Sequence, residues 1–422
     1  LAFSPLTTST RFYSYDNTAG TSGLYSPVAN PSSTPFASGA GYLIRMPNED
    51  PSNLGPGSTY ALGSTSLTFN GIFAGVPNNG DVPVTLNYGI DAAHAYNLVG
   101  NPYPSTIDAN AFITANTTNI ESTLYFWRKT NGSGSAYAAY NPAGGVLTYP
   151  STTSATPNGT IQTGQGFFVQ AKSAGLITNF FTNAMRLGTS STQFFKTKQV
   201  VEKDRIWLNL TNTSGVFSQT LVGYITDATQ GVDIYDGKYI NDSSIALTSS
   251  INNEEYMIQG RPTFDASDVV ALNFKTDVAG DFNIAIDHVD GLFSGSQDIY
   301  LVDSKTGTET NLKTNSYSFT AAAEVDNTRF SLRFQKTLKL DASVLNDNSV
   351  IVYKNNGVIY VNSGAKTMNN IKVFDIQGRV VAEQRSVKAN TTSIQNLKAS
   401  NQVLIVKVTT DDNQVISKKV EN

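Results

Sequence analysis

The chain has 422 residues, of which only 15% are charged, with a formal net charge of −4 and no cysteine. The missing thiols exclude disulfides, Cys-based zinc sites and a thiol nucleophile, and the charge balance argues against nucleic acid as a partner. No stretch approaches the ~20 uninterrupted apolar residues that a membrane-spanning helix needs, so no transmembrane segment is expected. The charged fraction lies well below the roughly 25% of typical soluble chains. Ser, Thr, Asn and Gly fill the difference, and 22 Phe and 20 Tyr suit a pleated, half-buried surface. An all-β chain of short strands and polar turns follows.

Residues 1–40 are rich in Ser, Thr, Pro and Gly and read as an irregular edge. Strands are expected at 41–46, 66–73, 82–86, 124–128 and 166–170, with Pro83 marking an edge or a strand start. The only helical signal is a single turn over 108–114, with Asp108 as N-cap. These strands predict a β-sandwich or jelly-roll domain over 1–190. A polar connector near 189–192 leads to a second β-sandwich over 191–336, with strands at 204–210, 269–274, 281–287, 299–303 and 329–334. In 204–210, Ile206, Leu208 and Leu210 share one face while Arg205, Trp207 and Asn209 share the other. Seven short strands at 349–354, 357–362, 370–376, 380–385, 392–396, 402–409 and 415–420 then predict a small immunoglobulin-like, seven-stranded sandwich over 337–422. Charge supports the last boundary. Residues 1–190 carry 6 basic and 7 acidic side chains, 191–336 carry 12 and 19, and 337–422 carry 11 and 7. The sign therefore reverses near residue 337, as expected at a domain border.

The third stretch carries the most specific motif. Ile371-Lys372-Val373-Phe374-Asp375-Ile376-Gln377-Gly378-Arg379-Val380-Val381 is a hairpin signal, with Gly378 able to supply a positive φ at the turn. It is followed by the late strand Val403-Leu404-Ile405-Val406-Lys407-Val408 and the basic-apolar tail Lys418-Lys419-Val420. In order and spacing these segments resemble the C-terminal sorting domains of Bacteroidota type IX secretion cargo. The resemblance rests on Phe374, Asp375, Gly378, Arg379 and Val381, then Leu404, Val406 and Lys407, then Lys418, Lys419 and Val420. The commonest form opens with Tyr-Pro-Asn-Pro, where this chain has Val352-Tyr353-Lys354-Asn355-Asn356. It also has Gly-x-Tyr in the late strand, where this chain has Gln402-Val403-Leu404. The sequence is therefore closer to the type C class. Upstream, Asn101-Pro102-Tyr103-Pro104, a rigid turn in which a cis bond is one option, and Gly164-Gln165-Gly166-Phe167-Phe168-Val169 resemble segments that precede such signals in large flavobacterial surface proteins.

The resemblance implies a secreted, cell-surface, adhesin-like protein of which this chain is the C-terminal part. Residues 337–422 would be recognised by an outer-membrane translocon and its shuttle β-barrel, and the basic side chains Lys372, Arg379, Arg385, Lys388, Lys418 and Lys419 could meet acidic groups there. The chain itself is expected to be non-enzymatic and to need no cofactor. Its two histidines, His94 and His288, lie in no nucleophile motif. Asp287, Asp290, Asp411 and Asp412 are candidate Ca²⁺ ligands in loops, although turn hydrogen bonding explains them equally. The alternative function is carbohydrate binding, as part of a secreted enzyme whose catalytic domain lies upstream. Trp127 and Trp207 would then stack on surface glycans, unless they pack at a domain seam.

Overall fold

In a computed structural model, residues 9–20, 23–44, 73–129, 135–147, 156–188, 202–240, 243–336, 350–355, 357–364, 366–395, 397 and 402–421 are described. Strands hold 53% of the fold and helices 6%, so the chain is all-β as composition predicts. It divides into two compact units, Leu1–Lys336 and Thr337–Asn422.

The first unit begins with three short strands, Phe12–Asp16, Leu24–Pro27 and Leu43–Ile44, in one small sheet. The strand expected at 41–46 is represented by Leu43–Ile44, and residues 45–46 lie outside the described residues, as do 66–72 of the next expected strand. Val82–Leu86 and Gly166–Gln170 form where the pattern placed them. The helical signal extends to two turns, Ala109–Ala115, because Asp108 accepts hydrogen bonds from the amides of Asn110 (2.8 Å) and Ala111 (3.2 Å) and so satisfies two otherwise orphaned donors. Asn101 organises the neighbouring turn. Its Nδ2 donates to the carbonyls of Ser105 (2.9 Å) and Gln162 (3.0 Å), and its Oδ1 accepts from the amide of Tyr103 (3.0 Å). No peptide bond among the described residues is cis.

A five-stranded sheet joins Tyr96–Gly100, Gly166–Gln170, Leu124–Lys129, Ser135–Asn141 and Gly144–Val146 in that spatial order. Alternation sends Leu124, Phe167 and Val169 into one core with Phe112, Phe180 and Phe181. Tyr125, Ala139 and Phe168 point into another. That second core is completed from the other half of the unit by Trp207, Leu221, Ile225, Tyr235, Met257 and Ile258.

The other half is an eleven-stranded sheet that curls into a nearly closed barrel. Its interior holds Ile206, Leu208, Leu210, Val222, Phe274, Phe282, Phe319 and Phe330. Phe217–Ile225 is buried at all nine positions. Its inward side faces the barrel interior and its outward side faces the five-stranded sheet, so neither side meets water. It pairs in parallel with Glu254–Arg261 and antiparallel with Lys203–Asn212. The stretches expected as two domains, 1–190 and 191–336, thus lie in one unit, because the outer face of the curled sheet is as apolar there as its inner face.

Among the described residues the second unit contains seven strands. Ile351–Asn355, Val358–Asn362 and Thr391–Ile394 form a three-stranded sheet, and Val380–Ala389, Met368–Phe374, Val403–Thr410 and Val415–Glu421 form a four-stranded one, in those orders. First-second-fifth against fourth-third-sixth-seventh is an immunoglobulin-like arrangement. Ile359, Val361, Met368, Ile371, Val373, Leu404, Val406 and Val408 fill the space between the sheets. On the three-stranded sheet, Ile351, Tyr353 and Asn355 point outward opposite Asn362, Tyr360 and Val358. Ser393 lies beyond Tyr360, and Thr391 beyond Asn362.

Candidate functional site

The segment with the sorting resemblance forms a turn closed by its own side chains. Asp375 follows the strand Met368–Phe374 and is buried. Its Oδ1 accepts from the amides of Gln377 (2.9 Å) and Arg379 (2.9 Å), and its Oδ2 accepts from Arg379 Nε (2.7 Å). The Asp375 amide donates to the Arg379 carbonyl and the Gly378 amide donates to the Asp375 carbonyl, each at 3.0 Å. Burial alone would raise the Asp375 carboxyl. The amide and guanidinium of Arg379 and the amide of Gln377 outweigh it and hold the group below its ordinary value. Gly378 has φ +81°, and a Cβ there would meet nothing within 4 Å. The requirement for glycine is therefore conformational and not steric.

The Arg379 side chain remains 73% exposed. Beside it lies the outward face of the four-stranded sheet. One row across the strands reads Val380, Phe374, Ile405 and Lys419, and the next reads Glu383, Lys372, Lys407 and Ser417. Val380, Ile405 and the turn residue Ile376 are all exposed. Glu383 accepts from Arg385 (3.0 Å), Asn370 (3.0 Å) and Lys372 (3.5 Å). The Arg385 hydrogen bond is the largest of the influences that draw its carboxyl down to about 2. The result is a small apolar corner rimmed by Arg379, Lys372, Lys407 and Lys419.

The matched residues therefore separate into two roles. Phe374, Asp375, Gly378, Arg379, Lys407 and Lys419 shape or occupy the turn and the outward face. Leu404 and Val406 are completely buried, Val420 is 8% exposed, and Val381 packs half-buried against the same core. As partner contacts Leu404, Val406 and Val420 are corrected, because they build the sandwich core, whereas Val381 keeps part of its surface accessible. Lys418 is half-buried, with the inward parity of Ile416 and Val420.

Residues 1–334 match the model of a family described as a domain of unknown function, DUF8693. The chain belongs to that family. Residues 338–421 match a second model, also described as a domain of unknown function, DUF8694. No curated protein matches the chain.

Elsewhere in this DUF8693 chain the other candidates resolve individually. Trp207 is 4% exposed. His288 stacks on it at 4.0 Å and 19°, the Arg205 guanidinium lies over its ring at 4.8 Å, and its Nε1 donates to the Gly145 carbonyl at 2.8 Å. The sugar-stacking role expected for Trp207 is corrected to that of a seam residue, because its ring is already covered. Trp127 is 37% exposed and tilted against Tyr137 at 4.8 Å. His94 is buried between Asp91 Oδ1 (2.7 Å) and the Gly20 carbonyl (3.2 Å), and the Asp91 carboxylate raises its pKa.

The acidic candidates are engaged by hydrogen bonds and ion pairs. Asp290 is paired with Arg205 and Asp287 with His288, while Asp412 holds Lys366 at 2.5 Å and accepts from Thr410. Asp411 is exposed on the same turn as Asp412. Among the described residues no group of three or more His, Asp or Glu side chains is placed to hold a metal. Among the described residues, the open clefts on the first unit include one of about 640 Å³ beside Gln297, Tyr300 and Phe334 and one of about 380 Å³ beside Tyr224, Asp265 and Asp268. In the second, the Ser267 hydroxyl and amide both donate to Asp265 Oδ1 at 2.8 Å, which is the local hydrogen bonding of a turn.

Proposed function

We propose that residues 337–422 are a sorting module that delivers an adhesin-like protein to the cell surface through the type IX pathway, without catalysis by this chain. In this reading the first unit serves as a stalk. The observation that carries the reading is the Asp375–Arg379 turn. One buried carboxylate uses both oxygens to fix the turn, and thereby projects an exposed guanidinium and Ile376 beside an apolar corner with a cationic rim. A preorganised surface of this kind suits a partner with acidic groups around an apolar contact. The partner proposed is the shuttle β-barrel of the outer membrane.

The test is export in a bacterium that carries the type IX system. Deleting 337–422 should leave the first unit folded but held in the periplasm. Arg379→Ala should slow export, and Ile376→Ser, at an exposed position of the same turn, should slow it while the purified protein melts as the parent does. Normal surface delivery of the truncated chain would remove the proposal.

A further inference from the structure

The two outward faces of the second unit differ in chemistry. The four-stranded sheet presents Lys372, Glu383, Arg385, Lys407 and Lys419. The three-stranded sheet presents no charged side chain at any outward position of its strands. At its centre Tyr353 lies directly opposite Tyr360, and their rings stack at 5.2 Å and 13°. Tyr353 is 51% exposed, Tyr360 37% and the adjacent Ile351 58%. Cross-strand aromatic packing explains why the rings touch each other. It does not explain why an exposed apolar strip sits on this face, or why its polar tips are unused. Among the described residues, the hydroxyls of Tyr353, Tyr360, Thr391 and Ser393 make no hydrogen bond.

Aromatic rings with idle hydroxyls and amides beside them, on strand positions that carry no charge, suit a ligand with an apolar side and many neutral polar groups. A pyranose has both, since its C–H groups can lie on a ring while its hydroxyls reach Ser393, Thr391 or Asn355. A charged ligand would find no counter-charge on this face. A helical or extended peptide would lack a groove or an anchor pocket. We propose that the outward face of the three-stranded sheet binds a neutral saccharide chain, with Tyr353 and Tyr360 as its stacking platform. This site is on the opposite sheet from the sorting turn and does not rest on the sorting reading.

The experiment titrates the intact 422-residue chain with cellohexaose, xylohexaose, mannohexaose and maltohexaose, and with a galacturonate hexamer as the acidic control. At least one neutral hexamer should bind, and Tyr353→Thr and Tyr360→Thr should each weaken it by about tenfold or more. Threonine keeps strand propensity, and thermal melting checks that the fold survives. Should either variant melt early, Tyr353→Phe retains the stack and should weaken binding several-fold through its lost hydroxyl. Trp127→Thr should leave affinity unchanged. The proposal is overturned if no neutral hexamer binds, if the tyrosine variants bind as the parent does, or if the acidic hexamer binds equally well. It is also overturned if sedimentation shows this face closed by a second copy of the chain. Export assays read the sorting proposal separately, so either idea can fail alone.

Discussion

Asp303 is completely buried, and every hydrogen bond that makes this tolerable is identifiable. Arg329, itself 2% exposed at its side chain, donates Nη2 to Oδ2 at 2.9 Å and Nε to both oxygens. The Tyr317 hydroxyl adds 2.7 Å and the Lys305 amide 2.9 Å. Burial pushes the carboxyl up, but these partners together hold it below its ordinary value. The guanidinium also lies over the rings of Phe319 and Phe330, at 4.4 and 4.8 Å. Arg329→Met should therefore destabilise the first unit by about 3–5 kcal/mol, because it strands a buried carboxylate. The double variant Arg329→Met, Asp303→Leu should recover much of that loss, measured by denaturant unfolding. A small additive double mutant would show that the pair is not coupled.

Asp236 shows the opposite balance. It accepts from the amides of Gly260 (3.0 Å) and Asp233 (2.8 Å), yet burial pushes its carboxyl up to about 7. A group whose folded pKa is raised binds its proton more tightly when folded, so its contribution is fully present below the unfolded value of about 3.9 and lost as pH rises through about 7. The melting temperature of the first unit should fall between pH 5 and pH 7.5, and Asp236→Asn should flatten that slope. A parent curve already flat over this range would remove the assignment. Neither behaviour was visible in sequence, where Asp303 only closes the expected strand 299–303 and Asp236 belongs to no motif. Burial comes from strands far away in the chain.

At the scale of elements, legibility followed the number of wet faces. The strands of the second unit could be drawn from sequence, because several of them alternate clearly, as Ile351–Asn355 and Val403–Thr410 do. Arg329, Phe330, Ser331 and Leu332 could be placed on a strand for the same reason. Phe217–Ile225 could not, because a strand buried on both sides has no polar face to mark its period. The sorting turn was legible because all its hydrogen bonds are local, whereas the inward placement of Leu404 and Val406 depends on the opposite sheet.

One hairpin offers a clean test of local chemistry. Ile251 pairs with Glu254 across Asn252 and Asn253, whose φ values are 52° and 66°. Two successive left-handed residues make the mirror-image turn that matches strand twist, and glycine is preferred at its second position. Asn253→Gly should raise stability by a few tenths to about 1 kcal/mol, and Asn253→Val should lower it by about 1–2 kcal/mol. Equal melting of the two variants would contradict this turn.

At the scale of the molecule, the main departure from the sequence reading is the joining of 1–190 with 191–336. The cause is traceable to one strand. In Lys203–Asn212, Ile206, Leu208 and Leu210 enter the barrel core, which leaves Trp207 on the side that a half-wet strand would give to solvent. That side meets Tyr125, Ala139, Ala143 and Phe168 of the five-stranded sheet instead. The indole N–H donates to Gly145, and Tyr125 and Thr123 donate across to the carbonyls of Lys238 and Asp236. A seam with apolar packing and these three hydrogen bonds across it should make both halves unfold together. Trp207→Ala should cost about 3–5 kcal/mol, and the loss should appear equally in probes placed in either half. Fluorescence of Trp127, the other tryptophan of the chain, reports the first half in that variant, and hydrogen exchange within Phe217–Ile225 reports the second. If the two probes fall at different denaturant concentrations, the seam is an ordinary contact between independent domains and the three-domain reading returns. Coincident transitions would make 1–336 one cooperative body, with Trp207 as a central part of its internal joint.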